Sequence, residues 1–187
     1  MLDLRFIGDP ILYKKTPELT KKDLASAKIQ VFAKDLLDTV TKLPAAGLAA
    51  PQVGKNYRMF CIILEKDDLT YKLESSSNKK AQMPLILPDK PFLFVNPQVE
   101  KLGNEVEYSE EACLSIPYYY GIVERYTKVK VSFMDLKGDK YVITATGFMA
   151  RVLQHEFDHL NGVLWTQRIT SPKDIHFQTP DADEKGF

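Results

Sequence analysis

The sequence predicts an α+β fold, with mostly antiparallel strands gathered around one central helix and an amphipathic helix near the N-terminus. Two stretches, 25–43 and 147–160, carry apolar residues at intervals of three and four, as one face of a helix does. Between them lie short strand-like runs separated by turn residues. One of these, Lys128–Phe133, alternates polar and apolar side chains as a half-buried strand does. A length of 187 residues fits one domain with a substantial core, and no repeat or second domain is visible. The expected division is a single domain over 1–170 and a polar tail over 171–187 without helical pattern.

Residues 10–19, with two prolines, read as an extended arm. Thr20 suits an N-cap, with Asp23 three residues on. Ala25, Ile29, Phe32, Leu36, Val40 and Leu43 then form the core stripe of a first helix that ends before Pro44. Ala45–Gly54 is a loop of small residues. It is either a plain connection or a place where backbone approaches a substrate, with Gln52 offering a side-chain N–H donor. Tyr57–Leu64 reads as a strand, and Cys61 within it as a small buried hydrophobe. Residues 65–91 form a long polar excursion, expected to be a solvated flap without chemistry. Phe92–Asn96, Gln98–Leu102, Lys128–Phe133 and Tyr141–Ala145 complete the strands, with Lys137-Gly138-Asp139 as a turn.

The late helix carries the chemistry. Phe148, Met149, Val152, Leu153, Phe157 and Leu160 set its spacing, and Asn161-Gly162 supplies a left-handed stop. Within it, His155-Glu156-Phe157-Asp158-His159 holds two of the chain's three histidines. Residues i and i+4 leave one face of a helix, so both imidazoles can share one divalent ion. The central helix is thus read as metal-binding, and Glu156 can reach a water there without being a ligand. Two core histidines that merely satisfy hydrogen bonds would not need that spacing or that glutamate.

A catalytic metal usually takes three protein ligands and keeps one position open. Six residues after His159, where one protease class has its third ligand, stands Trp165. The later acids Asp174, Asp181, Asp183 and Glu184 lie in the polar tail. The better candidate is Cys113 in Glu111-Ala112-Cys113-Leu114-Ser115, read as a loop thiol able to become a thiolate beside a metal.

Charge and hydropathy exclude other classes. Lysine plus arginine equals aspartate plus glutamate at 25 each, so no bulk attraction to nucleic acid or anionic membrane exists. No apolar run reaches membrane-spanning length, and the first residues lack the apolar core of a secretory signal. Two cysteines without an evident pairing suit a reducing compartment. The expectation is a cytoplasmic protein with neither membrane nor direct nucleic-acid partner. Oligomeric state stays open.

Gly47-Leu48-Ala49-Ala50-Pro51-Gln52, then Glu111-Ala112-Cys113-Leu114-Ser115, then His155-Glu156-Phe157-Asp158-His159, follow one another as in the peptide deformylase family. With the opening Gly8-Asp9-Pro10-Ile11-Leu12, the chain resembles that family over about residues 5–166. The resemblance implies metal-dependent hydrolysis of the N-formyl group from the N-terminal formylmethionine of nascent polypeptides, with release of formate. It implies one divalent ion, Fe2+ natively with Zn2+ or Ni2+ as substitutes, held by Cys113, His155 and His159. Water attacks the formyl carbonyl with Glu156 as general base, and the Gln52 amide and the Leu114 backbone N–H stabilise the oxyanion. Phe148 and Val152 line a methionine pocket opposite Ala46, with Gly47 in the same substrate loop. The implied partners are formylmethionyl peptides and nascent chains at the ribosome.

The chain departs from the family pattern in five places. Ala45 and Ala112 replace glycines, which costs about 1 kcal/mol or more wherever φ must be positive. Tyr120 stands where many relatives carry arginine. Arg151, one turn before His155, replaces an apolar residue. It either shapes the substrate pocket or lies along the surface with its charge in water. The 65–91 excursion is longer than in compact members. Two rival readings stay in view. A metalloprotease would leave Cys113 idle, and a non-catalytic binder of metal or formyl peptides would need neither Glu156 nor Gln52.

Overall fold

The computed structural model describes residues 1–78 and 85–178. The arm begins with a 3-10 turn at Pro10–Tyr13. Helix α1 spans Lys21–Leu24 and α2 spans Ala27–Val40, where the apolar spacing alone predicts one helix. Thr20 caps α1 in a reciprocal box with Asp23. Ser26 then caps α2 by accepting from the Ile29 N–H, and this second cap divides the stripe.

Strands β1 (Gly47–Ala49), β2 (Met59–Ile62), β3 (Tyr71–Ser76) and β4 (Phe92–Lys101) follow, then β5 (Val106–Cys113) and β6 (Ile116–Tyr126). Next come β7 (Lys128–Met134), β8 (Lys140–Thr146), helix α3 (Gly147–Leu160) and β9 (Ile175–Phe177). One sheet has the order β1-β2-β4-β7-β8-β3 and the other β5-β6-β9, with antiparallel pairing in both.

The larger sheet lies between α2 and α3. Phe60, Ile62 and Phe94 join the cluster built on Met149, Ala150, Val152 and Leu153 of α3. Met59, Cys61, Leu93 and Val95 join Ile29, Phe32, Ala33 and Leu36 of α2. Covering both faces explains why β2 is a continuous apolar run.

Three expectations are corrected. The excursion is no plain flap: Tyr71–Ser76 is an edge strand on β8, and the buried Ile86 bonds its N–H to the Tyr71 hydroxyl at 2.8 Å. Residues 79–84 of that excursion lie outside the described residues. The two short strands 92–96 and 98–102 are one strand bent by a bulge. Asn96 sits there with φ 48° and clasps the Leu19 backbone through both amide atoms at 2.8 Å. Finally, within the segment read as a tail, β9 pairs with β6 at Tyr119–Gly121, and residues 179–187 lie outside the described residues.

Helix α3 ends where its sequence predicts. Gly162 has φ 72°, and a Cβ there would come within 2.5 Å of the Tyr13 carbonyl. The Leu160 carbonyl accepts from the Thr16 N–H at 2.8 Å, the Thr16 hydroxyl at 2.9 Å and Arg58 Nη1 at 3.4 Å. The arm thus straps the last turn of α3. No helix of the described residues is long and apolar enough to cross a membrane.

Candidate metal centre and active site

The helical offset brings His155 and His159 together, with ring centroids 5.0 Å apart. Cys113 enters from β5, its Sγ 3.3 Å from His159 Nε2. One candidate ligand atom from each of the three residues lies within 4.8 Å of the others, and among the described residues they form a cluster that could hold a metal ion. Cys113 is therefore no loop residue: it closes β5, before the turn at Leu114-Ser115. Trp165 is 1% exposed and packs in a cluster with Cys113, so the position of a protease's third ligand is core.

The electrostatics fit a cation. Burial pushes the Cys113 thiol up, but the His159 and His155 imidazoles outweigh this and hold it well below the usual thiol range. Burial likewise opposes charge on His155, yet Cys113 and Glu111 raise its pKa well above the ordinary value. The cluster thus favours a thiolate on Cys113 and draws positive charge toward it, as a cation site does. Two nitrogens and a thiolate at tetrahedral reach suit a divalent transition metal.

Glu111 orients His155. Its Oε2 lies 2.8 Å from His155 Nδ1, which leaves Nε2 for a metal. Arg125 grips the same carboxylate through Nε at 2.7 Å and Nη2 at 2.9 Å, and reaches Asp158 Oδ2 through Nη1 at 2.7 Å. Arg168 closes the far side by donating Nε to Asp158 Oδ2 at 3.0 Å. Burial alone would raise Glu111, but Arg125 and His155 take it down to about 2.

Glu156 is 3% exposed, and burial pushes its carboxyl up to about 7. Its Oε2 has no hydrogen-bond partner. Its Oε1 faces β1, where a Cβ on Gly47 would come within 2.5 Å of it. Gly47 is thus required by contact, not by an unusual φ. Gln52, in the 3-10 turn Ala50–Val53, accepts from the Ala49 N–H at 2.8 Å through Oε1. Its Nε2 donates to Cys113 Sγ and Ser115 Oγ, both at 3.4 Å.

The remaining candidates fall around this group. Leu114 is half-buried in the turn after Cys113 and packs toward α2. Ala46, Phe148 and Val152 pack on one apolar cluster. Arg151 is half-buried with its guanidinium 4.9 Å from the Phe148 ring centroid. Neither Ala45 nor Ala112 has a positive φ, so neither carries the expected strain. Sequence reasoning missed Glu111, Asp158, Ser115, Arg125 and Arg168. The first three stand inside the quoted motifs, within two residues of a candidate ligand, and that closeness is the signal that could have found them.

The sequence profile described as Polypeptide deformylase matches residues 1–174. A peptide deformylase of Brucella suis biovar 1 is 37% identical over 170 residues, covering 91% of this chain and 85% of that protein. The chloroplastic peptide deformylase 1A of Solanum lycopersicum is 29% identical over 169 residues, and the chain spans 60% of its length. In structure, the class I type b peptide deformylase of Acinetobacter baumannii with bound Met-Ala-Ser superposes with a TM-score of 0.73. It shares 29% identity over 90% of this chain and 98% of that one.

Proposed function

The chain belongs to the polypeptide deformylase family, and from that membership we infer that it is a hydrolase removing the N-formyl group from the N-terminal formylmethionine of nascent polypeptides. The observation that carries this reading is the meeting of Cys113, His155 and His159 with a buried glutamate that is not one of the three. Those three residues would hold one divalent ion. Such an ion supplies Lewis acidity and lowers the pKa of water toward neutrality. The donor set accommodates ferrous iron as the native ion, with zinc or nickel as substitutes.

Glu156 takes the proton of the attacking water at its unpartnered oxygen and returns it to the departing amine. A carboxyl raised by burial is a stronger base than one in water, and Gly47 leaves room for it. The Gln52 amide and the Leu114 backbone N–H donate to the oxygen that gains charge, each worth roughly 2.7–4 kcal/mol. Gln52 is pre-aligned because its own carbonyl is anchored on Ala49. Ala46, Gly47, Phe148 and Val152 receive the methionine side chain. Glu111 fixes the tautomer of His155, so the proton sits on Nδ1. The chain works on nascent peptides at the ribosome, in the cytoplasm, without binding nucleic acid or membrane directly.

The deciding assay uses iron-loaded protein under anaerobic conditions with a formyl-methionyl peptide. Formate and a new free amine are expected in equal amounts. Peptide binding without formate would return the non-catalytic reading.

Arg151 carries its guanidinium 4.9 Å from the Phe148 ring centroid, and we assign it a part in substrate preference. Peptides with an acidic or polar group just after the methionine are expected to react about two- to fivefold faster than neutral ones. Arg151→Leu should remove that difference. Identical relative efficiencies in wild type and variant would leave Arg151 a surface residue only.

A further inference from the structure

Arg58 stands immediately before β2 and is 3% exposed. A guanidinium so deeply placed normally meets a carboxylate, because a buried charge without a partner is costly. Arg58 makes no such pair among the described residues. Its hydrogen bonds there all leave from Nη1, to Asn161 Oδ1 at 3.3 Å, the Leu160 carbonyl at 3.4 Å and Thr16 Oγ1 at 3.5 Å. Those contacts serve the end of α3, as a basic side chain at a helix C-terminus does. They use one corner of the group. Nε is buried without a partner, and Cζ lies 5.2 Å from the Phe157 ring centroid. The edge formed by Nε and Nη2 is one that takes a carboxylate through two parallel hydrogen bonds. Burial lowers the pKa of Arg58, and the charge of Glu18 offsets this only in part.

A cavity of about 580 Å³ opens at this guanidinium, between residues 15–18 of the arm, Gln98 of β4, and Phe157 and Asn161 of the α3 end. Its charged side chains are Lys15 and Arg58 against one carboxylate, Glu18. Glu18 is exposed and accepts from Gln98 Nε2 at 3.2 Å, so it stands in the cavity without pairing to Arg58. Pro17 and Phe157 supply apolar wall. The site is separate from the metal cluster, because Phe157 is two residues, or about 200°, around α3 from either histidine.

We propose that this cavity binds a small monocarboxylate with an apolar body, its carboxylate on Arg58 and its body against Phe157 and Pro17. The excess of one positive charge in the lining suits a monoanion. A phosphate dianion brings more charge than the lining offsets and is repelled by Glu18. Residues 15–18 form one wall, so the ligand binds only while the arm is strapped to α3, and binding favours that strap. At ten times Kd the ratio of folded to unfolded protein should rise about tenfold. The site does not depend on the deformylase reading.

The test measures binding of benzoate, benzamide and inorganic phosphate to the zinc-loaded protein by calorimetry, in wild type, Glu18→Gln and Lys15→Glu. Both substitutions lie at exposed side chains outside the metal cluster. Benzoate should bind the wild type, about two- to fivefold tighter in Glu18→Gln and about two- to fivefold weaker in Lys15→Glu. Benzamide, which has the same shape without the charge, should not bind, and phosphate should bind more weakly than benzoate. Benzoate at its Kd should leave KM for a formyl-methionyl peptide unchanged. No binding, one Kd in all three proteins, or competition with the peptide at that concentration overturns the site. Phosphate binding as tightly as benzoate overturns the choice of a monocarboxylate.

Discussion

Glu156→Ala is expected to retain its metal and to lose nearly all turnover, by roughly 10²- to 10⁴-fold in kcat. The three candidate ligand atoms belong to Cys113, His155 and His159, so removing the Glu156 carboxylate leaves that donor set intact. Proton transfer, by contrast, has no substitute in the same place: Glu156 is the buried carboxylate against Gly47. Metal content and formate release are measured on the same preparation. Full metal with a wild-type rate would remove Glu156 from the mechanism. Loss of metal together with activity would make it a ligand instead.

A second large effect is expected from Arg125→Met. Arg125 is 5% exposed and holds two buried carboxylates, Glu111 and Asp158. Taking away the shared cation leaves both without their main partner, which costs about 3–5 kcal/mol. Arg168 still reaches Asp158, but its side chain is 47% exposed and contributes less. Urea unfolding of the metal-free proteins measures the loss. Acid provides a second readout. Glu111 titrates at about 2 in the folded chain, against an ordinary 4.5. Between those values the unfolded chain binds more protons, so Glu111's contribution is full above pH 4.5 and is lost as pH falls toward 2. Arg125→Met should flatten that acid slope. A loss under about 1 kcal/mol with the slope unchanged would show that the cluster is held by something else.

Much of this was legible before any coordinates. His155, Glu156 and His159 announce themselves by helical spacing, and Cys113 by elimination of the later acids. The strands that carry Cys113 and Arg125 were not legible. Strand patterning assumes that inward positions are apolar, but the inward face of β5 offers Glu111 and Cys113, while Tyr108 stands outside at 62% exposure. On β6 the buried position 125 is an arginine. An active site turned inward inverts the pattern that reveals a strand. The break between α1 and α2 was hidden for a simpler reason. Ser26 does not interrupt the apolar spacing, and only its hydroxyl, acting as a cap, starts a new helix.

The strap of the N-terminal arm over α3 also sets the order in which the molecule can assemble. Thr16 bonds to Leu160 across 144 residues of chain, and Cys113 meets His159 across 46. Contacts so distant in sequence form late and slow folding, because long loops must close first. During synthesis the arm emerges first and waits for the helix that completes it. The cluster of Cys113, His155 and His159 therefore cannot be complete until α3 has been synthesised, long after the arm.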